Sequence, residues 1–313
     1  MKKSAVILIL FLAACTSAGV VGDKPENIIP YEYPVPAPSK EAAARHVVLI
    51  GFDGWGAYSL PRADMPTVKG MIAGGASTLK AKSVLPTNSW PNWSALFFGA
   101  PPEVHGYREE GPFFESAVRD KYGFFPGLFA MVAGERPELS TAFFYEWSGM
   151  GHFCPPGAAG LVEHIPDLAA DKTAVERIAE YLRETKPNLA VIIFDEPDHT
   201  GHSHRHGSPA YYGKLKELDS YAALFEQAVR DGGYYEDTVF IFTADHGGFL
   251  WGHGFNTPSQ RQIPLIIFGK NIKKGFTIPG PVVIYDIAPT IAEIFQLTVP
   301  PVWTGKALTE VFE

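Results

Sequence analysis

Ser83-Val84-Leu85-Pro86-Thr87-Asn88-Ser89-Trp90-Pro91-Asn92-Trp93-Ser94-Ala95-Leu96 is the stretch around which the chain is organised. It starts as a strand-like run, turns at Pro86 and opens a helix, with Pro91 suited to the first turn. A helix N-terminus is a positive field that favours an alkoxide and the phosphate it attacks. Ser89 is therefore the candidate nucleophile. Taken alone, a Ser before such a helix reads as a cap. The segments on either side decide between the two.

Upstream, His46 to Phe52 is a nearly continuous apolar run that stops at Asp53-Gly54, as a buried parallel strand would. Thr78 to Leu85 is a second strand leading into Ser89. Downstream, Ser140 to Tyr145, Leu189 to Phe194, Thr238 to Thr243 and Ile263 to Phe268 read as strands. Pro66–Ala73, Trp93–Phe98, Phe124–Ala133, Lys172–Glu184, Pro209–Arg230 and Asp286–Phe295 read as helices, and His105-Gly106-Tyr107 as a loop. This alternation predicts an α/β fold of three layers, α/β/α, around a mainly parallel sheet. Ligands of such sheets bind beyond the C-terminal strand ends. Three strands end there in Asp53, the Asp198 loop and Asp245-His246, so these converge with Ser89.

Each cluster has a plainer reading. Asp53-Gly54 alone is a turn. Asp245-His246-Gly247 could cap a helix, and Asp198 to His206 could be a solvated loop or a loose surface metal site. Their joint occurrence at three strand ends favours chemistry. Carboxylates and neutral imidazoles suit zinc, which takes about four such groups. Asp53, Asp198, His202, Asp245, His246, His253 and Ser89 suffice for two ions sharing one substrate oxygen. Two ions can stabilise the attacking and leaving oxygens of an in-line phosphoryl transfer. They can also acidify the Ser89 hydroxyl without a His base.

Taken together, the chain resembles the alkaline phosphatase superfamily, in its nucleotide pyrophosphatase/phosphodiesterase branch. The matching stretches are Gly51-Phe52-Asp53-Gly54, Pro86 to Asn92, His105-Gly106, Glu196 to His202, Ala244 to Gly247 and Gly252-His253-Gly254. They fall in the family's order between Val47 and Gly269. The resemblance implies an alkaline-phosphatase-like fold with Asp53, Ser89, Asp245 and His246 on one zinc and Asp198, His202 and His253 on the other. It implies that Ser89 forms a phospho-enzyme that water then releases. His199, His204 and His206 match no ligand position and read as supporting or solvated side chains.

There are three departures. The branch usually has Thr where this chain has Ser89. Its usual Asn after His-Gly falls at Glu110, leaving the oxyanion contact to Arg108 or a backbone amide. Its pocket-shaping insertions are mostly missing. Trp90 and Trp147 stand where the branch stacks a substrate base, although both also read as core aromatics. Glu110 would repel a dianion, which favours diesters over monoesters. The competing readings are a phosphomonoesterase, a sulfatase and a non-catalytic metal-binding lipoprotein. A sulfatase would need an Arg where Trp93 stands.

Composition bounds the setting. The formal charge of −8 and the lack of a basic run argue against nucleic-acid binding as the main role. Lys2-Lys3, an apolar run from Ala5 to Leu12 and Leu12-Ala13-Ala14-Cys15 resemble a lipoprotein signal peptide, residues 1–14, with Cys15 lipidated. Residues 15–44 are Pro-rich and read as a tether. Residues 45–313 then form a single catalytic domain, exported and held in a bacterial envelope at the outer membrane, on its periplasmic or surface face. Beyond Cys15 the only thiol is Cys154, so no disulfide is expected within the mature chain.

Overall fold

The computed structural model describes residues 28–34, 42–110 and 116–313. The signal-peptide segment 1–14, Cys15 and most of the 15–44 tether lie outside the described residues. The strands are β1 (Ile29–Pro30), β2 (His46–Phe52), β3 (Ala76–Lys82), β4 (Val118–Arg119), β5 (Thr141–Tyr145), β6 (Leu161–His164), β7 (Leu189–Phe194), β8 (Thr238–Thr243), β9 (Gln262–Gly269) and β10 (Phe276–Thr277). The α-helices are α1 (Pro66–Gly74), α2 (Ser89–Phe98), α3 (Pro102–His105), α4 (Leu128–Glu135), α5 (Lys172–Thr185), α6 (Asp198–His204), α7 (Pro209–Asp231), α8 (Pro258–Arg261) and α9 (Ile287–Phe295).

Among the described residues, eight strands form one sheet in the order β10-β3-β9-β8-β2-β7-β5-β6. β2 pairs in parallel with both β7 and β8 at its centre. β9 alone runs antiparallel to its neighbours β3 and β8. The sheet is thus mainly parallel, with one reversed strand that apolar content could not reveal. Side chains alternate across it. Gly51 and Ile193 face Trp93 of α2, so closely that a Cβ on Gly51 would meet that ring at 2.4 Å. Their successors Phe52 and Phe194 face the other way, where Phe194 packs on Tyr221 and Phe225 of α7. α2 packs with α4 and α9, and α7 with α1 and α5, which gives the two outer layers.

Some local expectations shift. His105 closes the short helix α3 rather than lying in a loop. The expected Phe124–Ala133 helix begins only at Leu128. β6 has half-buried and exposed residues in alternation at the sheet's edge, so no apolar run announced it. Within the expected tether, residues 28–34 dock on the domain. There β1 pairs with β4, and the Tyr33 hydroxyl donates to Asp120. No helix among the described residues is long and apolar enough to cross a membrane.

Candidate active site

Ser89 is the first residue of α2, and the N-cap is Asn88. The capping explanation of Ser89 therefore fails. The turn before it is stapled by Asn92, whose Oδ1 accepts from Val84 N at 2.6 Å. Its amide nitrogen donates to the carbonyls of Pro86 and Asn88 at 3.2 and 2.8 Å. Ser89 Oγ lies 3.2 Å from His246 Nε2 and 3.4 Å from Asp53 Oδ1.

Asp53 follows β2, the central strand. Its Oδ2 accepts from Trp93 Nε1 at 2.9 Å, so a buried indole orients the carboxylate. Asp245 follows β8, and its Oδ1 accepts from Gly54 N at 3.1 Å. Gly54 has φ +71, and a Cβ there would meet Asp198 Oδ1 at 2.5 Å, so only glycine fits. Asp198 and His202 lie one turn apart on α6, with His202 Nε2 3.0 Å from Asp198 Oδ2. His253 closes the set, with Nε2 3.7 Å from the same oxygen and its ring stacked on His246 at 3.9 Å.

The three imidazoles are oriented alike. Nδ1 of His202, His246 and His253 lies 2.8, 3.0 and 2.8 Å from the backbone carbonyls of Trp251, Gly247 and Thr87. Those contacts hold Nδ1 as the donor and aim each Nε2 into the site. His202 Nε2 and His253 Nε2 are only 3.1 Å apart. Two ring nitrogens that close, beside a carboxylate, need a proton or a metal cation between them. Asp198 Oδ1 and Asp245 Oδ2 are buried without a hydrogen-bond partner. Asp198, His202 and His253 form one candidate metal group and Asp53, Asp198 and His246 another. The residues present therefore fit divalent metal on the chemistry of the donor set.

The electrostatics agree. Burial, with the charges of Asp245 and Asp198 added, holds Asp53 well above the usual carboxylate range. Burial does the same to Asp245. Burial pushes His246 down to about 3, keeping its ring neutral. Burial raises Asp198 too, but the hydrogen bond from His202, with the neighbouring imidazoles, outweighs it and holds the carboxyl below its usual range. His202, hydrogen-bonded to Asp198, is pushed up to about 9. Without a cation these carboxylates and rings compete for protons; a bound cation relieves that competition.

All seven sequence-predicted groups thus come together, and Trp90 meets Trp147 with ring centroids 6.0 Å apart at 79°. Trp90 also packs on His152 and Phe153. Glu110 is exposed, and no hydrogen bond or ion pair joins it to Ser89. His199 and His204 are exposed, as expected of solvated side chains. His206 is different. Its side chain is fully buried, neither ring nitrogen has a hydrogen-bond partner, and Nε2 lies 3.5 Å from Asp198 Oδ1. Sequence reasoning passed over Trp93 and Asn92 as supports, and for His206 it left a supporting and a solvated role open. The signal for the first two was their place within the Ser89 stretch itself.

Residues 47–109 and 123–248 match the family of type I phosphodiesterases and nucleotide pyrophosphatases. Among curated proteins, GPI ethanolamine phosphate transferase 1 of Mus musculus is 28% identical over 271 residues, covering 79% of this chain and 28% of that protein. The Neurospora crassa protein of the same name is 36% identical over 127 residues, covering 39% of this chain and 12% of that protein. The chain therefore spans well under a third of these relatives' length. Murine ectonucleotide pyrophosphatase/phosphodiesterase 5, solved with AMP, superposes with a TM-score of 0.71 at 15% identity, covering 86% of this chain and all of that one. A phosphonate monoester hydrolase from Silicibacter pomeroyi superposes at 0.66 and 15% identity, covering 85% and 76%. With a family match over more than half of its length and the alkaline-phosphatase-like fold of these neighbours, the chain belongs to the type I phosphodiesterase/nucleotide pyrophosphatase family.

Proposed function

We propose that this protein cleaves phosphodiester or pyrophosphate bonds through a phosphoserine on Ser89, with two zinc ions as cofactors. The observation that carries this reading is the position of Ser89 Oγ, within 3.4 Å of both His246 Nε2 and Asp53 Oδ1 at the start of α2. Asp53, Asp245, His246 and Ser89 would hold one ion, and Asp198, His202 and His253 the other. Bound divalent ions would supply positive charge to the phosphate oxygens and favour the ionised Ser89 hydroxyl.

The chain's own residues do the rest. Trp93 and Gly54 N fix the two inner carboxylates, so Ser89 meets a preorganised set of acceptors. The amide end of α2 favours the negative charge that builds on the phosphoryl group. Asn92 holds the turn that aims Ser89. The side-chain contacts of Ser89 among the described residues are a carboxylate and a neutral imidazole, which supports a monoanionic diester over a dianionic monoester. A monoesterase or sulfatase ranks below on that ground, and Trp93 stands where a sulfatase would need Arg.

A second reading concerns the acceptor. The ethanolamine phosphate transferases by name transfer an ethanolamine phosphate group, and a phosphodiester on Ser89 would serve that outcome as well. Hydrolysis and transfer differ only in whether water or an alcohol attacks Ser89-bound phosphorus. Initial rates on matched aryl diesters, monoesters and sulfates test the class, and quenching in the presence of an alcohol tests the acceptor. A faster sulfatase than diesterase rate defeats the proposal. The N-terminal segment supports attachment to an envelope membrane through Cys15, which loss of lipidation in Cys15→Ala would test.

A further inference from the structure

Tyr211 stands in the first turn of α7, outside every stretch whose sequence carries the candidate site, and its side chain is fully buried. The helix start that carries it is fixed, because the Ser208 hydroxyl caps α7 by accepting from Tyr211 N at 3.3 Å. A buried phenol normally finds a hydrogen-bond partner, and the partner shows what the hydroxyl is for. Here the hydroxyl reaches the turn that follows β2. Its oxygen donates to the Gly54 carbonyl at 2.8 Å and lies 3.2 Å from Gly56 N, from which it accepts. Gly56 N also lies 3.0 Å from the Gly54 carbonyl, which closes a three-residue turn around Trp55. One phenol therefore bridges both ends of that turn, as donor at one end and acceptor at the other. Phenylalanine would fill the same space and make neither bond.

What the turn touches gives this bridge its consequence. Gly54 N donates to Asp245 Oδ1 at 3.1 Å, and the Asp53 carbonyl accepts from Asp198 N at 3.0 Å. Gly56 backs onto Gly247, the neighbour of His246, so closely that a Cβ on Gly247 would lie 2.6 Å from Gly56 Cα. The Gly247 carbonyl in turn meets His246 Nδ1. A single turn thus abuts the segments that bring in Asp53, Asp198, Asp245 and His246, and close packing passes any shift of it on to them.

We infer that Tyr211 is a positioning residue, whose hydroxyl clamps the Gly54–Gly56 turn and so sets Asp53, Asp245 and His246 against Ser89. Its kinetic consequence rests on the proposed Ser89 chemistry, whereas its consequence for metal binding does not. The ring has a separate neighbour, His206, with centroids 5.6 Å apart. Removing the hydroxyl alone therefore leaves the packing on His206, and with it the Asp198, His202 and His253 group, in place.

The test is Tyr211→Phe in full-length protein, with Tyr234→Phe as the matched control. Tyr234 is also buried, and its hydroxyl donates at 2.8 Å to the Leu182 carbonyl of α5, away from the site. Competition with a chelating dye resolves the two zinc-binding steps. In Tyr211→Phe the step assigned to Asp53, Asp245 and His246 should weaken about tenfold, the low end for loss of a group that orients metal-holding side chains. The other step should stay within about twofold. At zinc saturation kcat on an aryl diester should fall about tenfold with KM little changed, because a displaced nucleophile loses transition-state stabilisation and not substrate binding. Tyr234→Phe should leave both zinc affinities and kcat at wild-type values while lowering the Tm of metal-free protein as much as Tyr211→Phe does. Wild-type zinc affinities in Tyr211→Phe, equal weakening of both steps, or the same losses in Tyr234→Phe would overturn the inference. Selective weakening of the one step in a protein that turns over no diester supports the clamp while defeating the proposed catalysis.

Discussion

The two halves of the candidate metal site are built differently. The inner half, Asp53, Asp245 and His246, hangs from the ends of the two central strands, and the His246 side chain is fully buried. The outer half, Asp198, His202 and His253, comes from one short helix and one loop, and the His202 side chain is 46% exposed. The inner half is positioned by the sheet, by Trp93 and by Gly54 N, so it is preformed before any ion arrives. The outer half relies on carbonyls of a surface loop, so it can respond to what binds there.

The comparison breaks most completely at Ser89, the one chemical group of the inner half. Ser89→Ala should lower turnover by several orders of magnitude, on the scale seen when other covalent nucleophiles are removed. Because Asn88 is the cap, its stability should stay within about 0.5 kcal/mol of wild type. A capping role would instead cost about 1 kcal/mol and little activity. Ser89→Thr should keep much of the rate, since it restores an alcohol. Turnover and thermal melts of both variants under zinc saturation decide this, and near-normal turnover by Ser89→Ala would leave direct attack by water.

Chelation sharpens the contrast. Stripping should occur in two steps, with the more exposed outer half emptied first. Asp53→Asn should lose the inner ion and nearly all activity, whereas His202→Ala should lose only the outer ion. Metal counts by atomic emission after graded chelator treatment check the order. Simultaneous loss of both ions from both variants would mean that Asp198, which stands in both candidate groups, couples them into one unit.

The same contrast governs what could be read beforehand. The inner half was legible because a buried parallel strand writes itself as an apolar run, and His46–Phe52 and Thr238–Thr243 end at Asp53 and just before Asp245. Helices with caps and stripes were legible too, such as Lys172–Thr185. β9 could not be oriented, because apolar content carries no strand direction. β6 was silent, because an edge strand shows only weak alternation. His202 and His253 were legible as chemistry through the resemblance. His206 stayed open between a supporting and a solvated side chain, because burial of a polar ring depends on what the fold brings over it, here Gly201 and Gly248 from separate segments.

Protons should compete with metal at the outer half. In metal-free protein the hydrogen bond to Asp198 pushes His202 up to about 9. A raised folded-state pKa contributes stability fully present below the unfolded value near 6.5, and that contribution is lost as pH rises through about 9. Metal binding has the opposite sign, because it displaces the proton. Apparent affinity of the outer half should therefore rise about tenfold per pH unit from pH 7 to 9 and flatten above. Competition with a chelating dye at fixed ionic strength measures it. A flat profile across this range would show that His202 loses no proton when metal binds.

The smallest expected effect concerns His206, which no motif assigned. Burial pushes its ring down to about 4, so it is neutral at ordinary pH. The ring fills a slot that a Cβ on Gly201 or Gly248 would enter at 2.4 or 2.2 Å. From that slot Nε2–H can point at Asp198 Oδ1, 3.5 Å away, leaving Oδ2 for the His202 and His253 side. A support of this kind is typically worth 10–100-fold in metal affinity. His206→Leu should weaken the outer half by about tenfold and the inner half by much less. His206→Gln, which can still donate, should recover most of the loss. Gly248→Ala should reproduce the Leu phenotype with the imidazole still present, because the methyl group displaces the ring. Separate titration of the two halves in each variant tests the assignment. Equal weakening of both halves, tracking a lower Tm in the metal-free protein, would reduce His206 to packing.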